Sequence, residues 1–323
     1  MSNDFIENLT FKYFKCFKEL SVNNIKRVNL IGGKNNIGKT SFMEGIELFV
    51  SSSNTIDLSV NIYKMMKRRQ FSNNSYFDLD FIYENSSKVE LNVNNEKIQI
   101  EYFEKMKLEK EDFVYGEKNS STEYQPLFRL TVNSDEINVP IEKSVHKPHL
   151  MRWGRYEPIK KVNFITSTPT DEKDIAILYG ALIDLNKEEF LNDSLKLFDE
   201  NIVALKQKAT DRGVVLKVSL KDRELPVLLS SLGEGVNRYI AILCAIWASK
   251  DGCLFIDEIE NGIHFTNYTK LWNIVFKASE MANCQVFITT HSKECIEVFN
   301  EVNKDDEGSY FEFYRNKKTN LIV

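Results

Sequence analysis

Proline and glycine are scarce, six and 13 in 323 residues, which excludes a long Pro/Gly-rich linker. Cysteine is scarce as well. The five residues Cys16, Cys244, Cys253, Cys284 and Cys295 include no CxxC, and most lie in apolar stretches. That pattern predicts reduced, buried thiols rather than disulfides or metal ligands. The longest apolar run, YIAILCAIWA from Tyr239, is about half of what a membrane crossing needs. The first residues, MSNDFIENLTFKYF, lack the basic, then apolar, then small pattern of a secretory leader, so a cytoplasmic location is expected. His146 and His149 in HKPH have no Cys or carboxylate to complete a zinc set. No Ser-His-Asp or Cys-His constellation has a strand–turn context. There is no internal repeat and no low-complexity tract.

Charge is close to balanced. The 42 Lys and Arg against 47 Asp and Glu give a net −5, so nothing global attracts nucleic acid or anionic lipid. The basic run KMMKRRQ, from Lys64 to Gln70, reads as a solvated helix face, with a nucleic-acid or partner-binding strip as the alternative. Trp153, Trp247 and Trp272 read as core.

The chain opens with three strand-like pieces, FIENLTFKYF, FKELSV and RVNLIGG, followed by SFMEGIELFV with apolar residues at helical spacing. Residues 51–150 are Asn-, Ser- and Lys-rich, with the strand-like pieces YFDLDFIY, KVELNV and KIQIEYF. They predict an antiparallel insertion. VNFITS reads as a strand; IAILYGALIDL and the run from Glu188 to Ala209 read as two helices. The last third alternates: VVLKVSL, then helix NRYIAILCAIWASK, strand CLFIDE, helix TKLWNIVFKASEMA, strand QVFITTHS and helix KECIEVFN. Such alternation predicts a parallel sheet covered on both faces. The tail, YFEFYR and LIV, predicts a closing hairpin.

Four motifs carry chemistry. GGKNNIGKTSF fits G-x-x-x-x-G-K-[ST] between a strand and a helix, the pattern of a phosphate-binding loop. Its glycines, Gly33 and Gly38, let the backbone N–H groups of Asn35, Asn36, Ile37 and Ser41 converge on phosphate oxygens at a helix N-terminus. Lys39 is placed to bridge the β- and γ-phosphates and Thr40 to offer its hydroxyl to Mg²⁺. In CLFIDEIENG a buried strand ends in carboxylates: Asp257 for Mg²⁺ and Glu258 to orient the attacking water. VFITTHS brings His291 to a strand end, where a γ-phosphate sensor belongs. LSSLGEGVNRYI sets Ser231, Gly233, Glu234 and Gly235 at a second glycine-rich helix start. That start precedes a neighbouring strand of the same sheet, so it predicts an anion contact in trans, on nucleotide held by another copy.

This order of motifs resembles the ABC-type ATPase heads, and within them the OLD-like AAA ATPases. Members of that family typically show DE-[IP]-E-x-x-[LI]-H, here Asp257 to His264, and a TTHS switch, here Thr289 to Ser292. The resemblance covers residues 1–50 and about 160–300. It implies an α/β head with an antiparallel lobe and a helical lobe. It further implies homodimers or higher homo-oligomers that sandwich ATP and Mg²⁺, with Glu260–His264 at the seam. The signature here is SLGEG, which fits OLD-like members better than transporters, and no glutamine is assignable to a Q-loop. Only about thirty residues follow His291, too few for the Toprim domain of OLD nucleases, and the insertion is too short for the coiled coil of DNA-repair relatives.

The expectation is therefore a single ABC-type ATPase domain over 1–323. It comprises a phosphate-loop part at 1–50, a strand-rich insertion at 51–150, and at 160–323 a helical lobe with the signature, the carboxylate strand and the switch histidine. Two roles stay open. One is an ATPase that restrains a separately encoded effector, possibly a nuclease, as in PARIS-type antiphage systems. The other is a nucleic-acid-engaging ATPase of DNA repair or maintenance.

Overall fold

The computed structural model describes residues 5–69, 81–84, 86–106, 125–140, 161–211, 213–304, 306–319 and 321–323. Strands β1 (Leu9–Phe14) and β2 (Phe17–Val22) form a tight antiparallel hairpin, and β3 (Val28–Gly33) leads into helix α1 (Lys39–Val50). After α2 (Thr55–Arg69) come β4 (Lys88–Val93), β5 (Glu96–Met106), β6 (Gln125–Val132) and β7 (Asp135–Pro140). These join the first hairpin in an antiparallel sheet of order β2-β1-β4-β5-β6-β7. Then follow β8 (Val162–Ile165), α3 (Glu172–Asp184), α4 (Glu188–Phe198) and a small antiparallel sheet of β9 (Ile202–Thr210), β10 (Gly213–Leu220) and β11 (Val227–Leu228). The chain ends with α5 (Glu234–Ala248), β12 (Cys253–Ile256), α6 (Tyr268–Ala282), β13 (Gln285–Thr289), α7 (Lys293–Val302) and β14 (Gly308–Phe313).

The central sheet has the order β14-β3-β13-β12-β8, and all its pairings are parallel. Successive residues of a strand face opposite sides, so these strands feed two cores. Val28, Leu30, Leu254, Ile256, Val286 and Ile288 pack with α3 to α6 on one face. Ile31, Cys253, Phe255 and Phe287 pack with α1, α2 and the six-stranded sheet on the other. Phe255 lies between Phe287 and Phe164, with ring centroids 5.5 and 5.9 Å away. Burial on both faces explains why β3, β12 and β13 read as continuous apolar runs. Trp247 and Trp272 are fully buried, each worth about 2–3 kcal/mol of transfer free energy. Cys244, Cys253, Cys284 and Cys295 are buried free thiols, and Cys16 is a half-buried one.

Three expectations are corrected. The insertion is not purely strands, because Thr55–Arg69 is a helix. The Asn54 side chain accepts from the Asp57 N–H, and Asp57 returns to Ser53 and Asn54, a capping arrangement hidden by the polar composition. Leu58, Ile62, Met65 and Met66 form its buried stripe, so the KMMKRRQ run is partly core. Arg68 there is exposed but tied down, bidentate to Glu47 and over the Phe164 ring. Second, the helix expected through Ala209 stops at Phe198, and Ile202–Thr210 is an edge strand in which only Ile202 and Leu205 are buried. Third, the tail hairpin is present, with Tyr314, Arg315 and Asn316 antiparallel to Val323, Ile322 and Leu321, but the strand before it, β14, also pairs in parallel with β3, which was not expected. Most of YFDLDFIY, along with Trp153, His146 and His149, lies outside the described residues.

Candidate nucleotide site

The phosphate loop rises from β3 and curls over the N-terminus of α1. Gly38 is the N-cap, with φ 89°, a region an L side chain rarely enters. A Cβ there would lie 2.5 Å from Cys16 Sγ and 2.8 Å from Phe17 Cζ, so the β1–β2 hairpin closes over it. No side chain caps α1, and its first turn carries no acidic residue. Its positive dipole end is thus open to an anion. Ile37 is buried beneath the loop, while Asn35 and Asn36 are exposed on it.

Lys39 is buried, and its ammonium donates to the carbonyls of Gly33 and Lys34, both at 2.9 Å. It also lies 3.2 Å from His291 Nδ1. An ammonium can only donate, so Nδ1 is the acceptor and the neutral ring carries its proton on Nε2. That nitrogen faces Glu258 Oε1 at 3.1 Å. Burial pulls the Lys39 pKa down, and the carboxylates of Asp257, Glu258 and Glu260 oppose the fall.

At the end of β12, Asp257 accepts from Thr40 Oγ1 at 3.2 and 3.3 Å and from Thr289 Oγ1 at 2.6 Å. Burial pushes its carboxyl above the ordinary aspartate value. The Thr289 hydroxyl also accepts from the Glu258 N–H at 2.8 Å, which fixes the bend at Glu258, φ 51°. Glu258 Oε2 accepts from Asn261 Nδ2 at 2.8 Å. The juxtaposed hydroxyl and carboxylate are hard oxygen donors. They fit Mg²⁺, which takes one or two protein ligands and completes its shell with phosphates and water.

Lys39, Thr40, Asp257, Glu258 and His291 thus converge at the carboxyl ends of three adjacent parallel strands, where ligands of such sheets gather. Ser41 is buried within α1. The second glycine-rich start is elsewhere. Ser231 ends a short 3-10 turn and is exposed; Gly233 caps α5 in extended conformation; Glu234 and Gly235 belong to the first turn of the helix, one turn earlier than expected. Gly235 abuts the Gly262 carbonyl, and both glycines line a cleft of about 640 Å³ with Phe198, His264 and Lys270. Two residues have roles that no motif showed. Thr289, the first residue of the TTHS segment, donates to the Asp257 carboxylate and accepts from the Glu258 N–H; Arg238, which belongs to no motif, donates to the carbonyls of Thr166, Asp257 and Glu258. A lone arginine within the apolar run of α5 was the one available signal.

Residues 28–297 match the family described as "AAA domain, putative AbiEii toxin, Type IV TA system". The chain belongs to that AAA family. This family member is 26% identical to an "ATP/GTP phosphatase" of Helicobacter pylori, over 94% of its own length and 90% of that protein's. It is 30% identical to MJECL10 of Methanocaldococcus jannaschii, over 36% of its length and 52% of the other's. In fold it is similar to the Smc head bound to the C-winged helix domain of ScpA, with TM-score 0.53 and 13% identity over 99% and 97% of the two chains. The AAA protein is thus an ATP-hydrolysing enzyme with the fold of an ABC-type P-loop head.

Proposed function

We propose that this ATPase hydrolyses Mg²⁺-bound ATP at a site completed by a second copy of itself. The observation that supports this reading is the convergence of Lys39, Thr40, Asp257, Glu258 and His291 at one end of the central sheet. Lys39 exchanges its loop carbonyls for β- and γ-phosphate oxygens, and the free N–H groups at the loop and α1 hold the rest. Thr40 and Asp257 hold the metal, which offsets the cost of Asp257 as a buried carboxylate. Glu258 accepts a hydrogen bond from the attacking water, and His291 donates to the γ-phosphate from its Nε2 side. Chemistry of this kind is positioning and charge stabilisation. Ser231, Gly233 and Glu234 are exposed and, with the half-buried Gly235, would cap the nucleotide of the other copy.

In the cell, we assign it to the OLD-like ATPases as a single cytoplasmic head that restrains a separately encoded effector, as in PARIS-type antiphage systems. The family description, which refers to a toxin and a TA system, supports a two-component role. Among the described residues no helix is long and apolar enough to cross a membrane. The test is sedimentation of Glu258→Gln protein with ATP and Mg²⁺, then its recovery from the native host with nuclease treatment. A dimer carrying a stoichiometric, nuclease-resistant companion protein is expected. A monomer under those conditions overturns the sandwich. A dimer whose companions vanish on nuclease treatment, with DNA-stimulated turnover, overturns the effector role in favour of DNA maintenance.

A further inference from the structure

The chain is acidic as a whole, but its charge is not spread evenly. Residues 202–221 hold five Lys and Arg against one Asp, a net +4 within a chain of net −5. They form β9 and β10, an antiparallel ribbon in which Thr210 pairs with Gly213 at the tip. Side chains alternate across such a ribbon, and here the two faces differ. Leu205, Leu216 and Val218 are buried on one face, in the core that holds α3 to α6. Lys206, Lys208 and Lys217 fall on the other face. Towards the tip the ribbon leaves the core altogether: residues 206–211, 213 and 214 are exposed, whichever face they belong to.

The register sets Lys217 directly opposite Lys206, and Val215 opposite Lys208. Like charges directly across a ladder are destabilising. Among the described residues, no carboxylate lies within ion-pair distance of Lys206, Lys208 or Lys217. Lysines on an edge strand guard against strand-on-strand aggregation, and that accounts for the two in β9. It does not account for Lys217, which belongs to the middle strand and pairs with Leu228 of β11 on its other side. A same-sign pair kept there without a counter-ion of its own is matched to an anion that comes from outside. The shape of the ribbon narrows the choice of anion. The major groove of B-form DNA, about 12 Å wide and rimmed by phosphates, admits a two-stranded ribbon. That of an RNA duplex is too narrow.

We propose that the β9–β10 ribbon is a docking surface for duplex DNA, held through Lys206, Lys208 and Lys217 on backbone phosphates. Such contacts position a duplex without reading its sequence. The surface is separate from the nucleotide site and does not depend on the role given to that site above.

The test titrates the full chain against a labelled DNA duplex of arbitrary sequence, by fluorescence anisotropy at several salt concentrations. Wild type binds, and the log of its association constant falls against log salt with a slope of about −3 or steeper. The triple variant Lys206→Gln/Lys208→Gln/Lys217→Gln binds at least about ten-fold more weakly at low salt, and its slope is shallower by about 3. Its ATP turnover without DNA equals that of wild type. Its thermal midpoint is no lower, because the facing lysines are gone. Should the triple variant fold poorly, Lys208→Gln on the exposed edge carries the test, with a slope shallower by about 1. A triple variant that keeps the wild-type affinity and slope overturns the proposal, as does tighter binding of duplex RNA than of duplex DNA. Wild type that ignores DNA also overturns it. If that protein instead holds a poly-glutamate peptide through the same lysines, the ribbon takes an acidic protein and not a nucleic acid.

Discussion

At the start of α1, Gly38 has φ 89°, and a side chain there would collide with Cys16 and Phe17. At the start of α5, Gly233 has φ −62°, and a Cβ would meet nothing within 4 Å. Both are glycines before a helix, yet the fold requires only the first. Gly38 lets the chain make a turn under a hairpin. Gly233 has open space in front of a helix end. Under the dimer proposed above, this contrast would separate the site the molecule builds alone from the one it lends.

The contrast is tested first where the effect is largest. Lys39→Ala and Glu258→Gln should both lower turnover by about 10²-fold or more, for different reasons. Nucleotide binding, read by equilibrium titration, disappears in the first and survives in the second. Gly38→Ala comes next. A forced left-handed Ala with a close contact costs about 1–3 kcal/mol, seen as a lowered thermal midpoint, and nucleotide binding weakens with it. Gly233→Ala sharpens the comparison. Its thermal midpoint should match wild type, within about 0.5 kcal/mol, while ATP-dependent association measured by sedimentation weakens. If Gly233→Ala instead destabilises the chain as much as Gly38→Ala does, the two glycines have the same role and the contrast collapses.

The smallest effect is in pH. The Asp257 pKa is raised on folding, so its contribution to stability is complete below the ordinary aspartate value and is lost as pH rises through the elevated one. Above that elevated value the nucleotide-free protein carries the penalty of a buried carboxylate. Asp257→Asn removes it, so the variant should melt later than wild type at neutral pH, and the gap should close on acidification. A gap that widens in acid would show that burial does not govern this carboxyl.

Much of the site was legible because its chemistry sits where periodicity changes. Lys39 and Thr40 follow an apolar strand and open a helix, and Asp257, Glu258 and His291 end two buried strands. Residue type, spacing and position in the element all agree there. The backbone clasps were not legible. Arg238 looks like one polar residue at a helix start, and nothing in the sequence says that its donors reach carbonyls at the ends of two strands. Thr289 opens the TTHS segment, but the sequence does not say that its hydroxyl sits between the Asp257 carboxylate and the Glu258 N–H. Ile202–Thr210 was missed because an edge strand with an exposed Lys-Gln-Lys stretch has no clean period, and Lys and Gln also suit helices.

Strand β14 has a consequence for the order of events in biosynthesis. It pairs with β3, the strand that presents the phosphate loop; Tyr310 covers Gly32, and Arg27 and Glu307, 280 residues apart, form an ion pair beside it. The segment that binds phosphate is made long before the strand that braces it. Until β14 docks, β3 has an unpaired flank, and closing so long a loop is slow. A chain stalled before residue 308 would display the phosphate loop on an unbraced sheet edge.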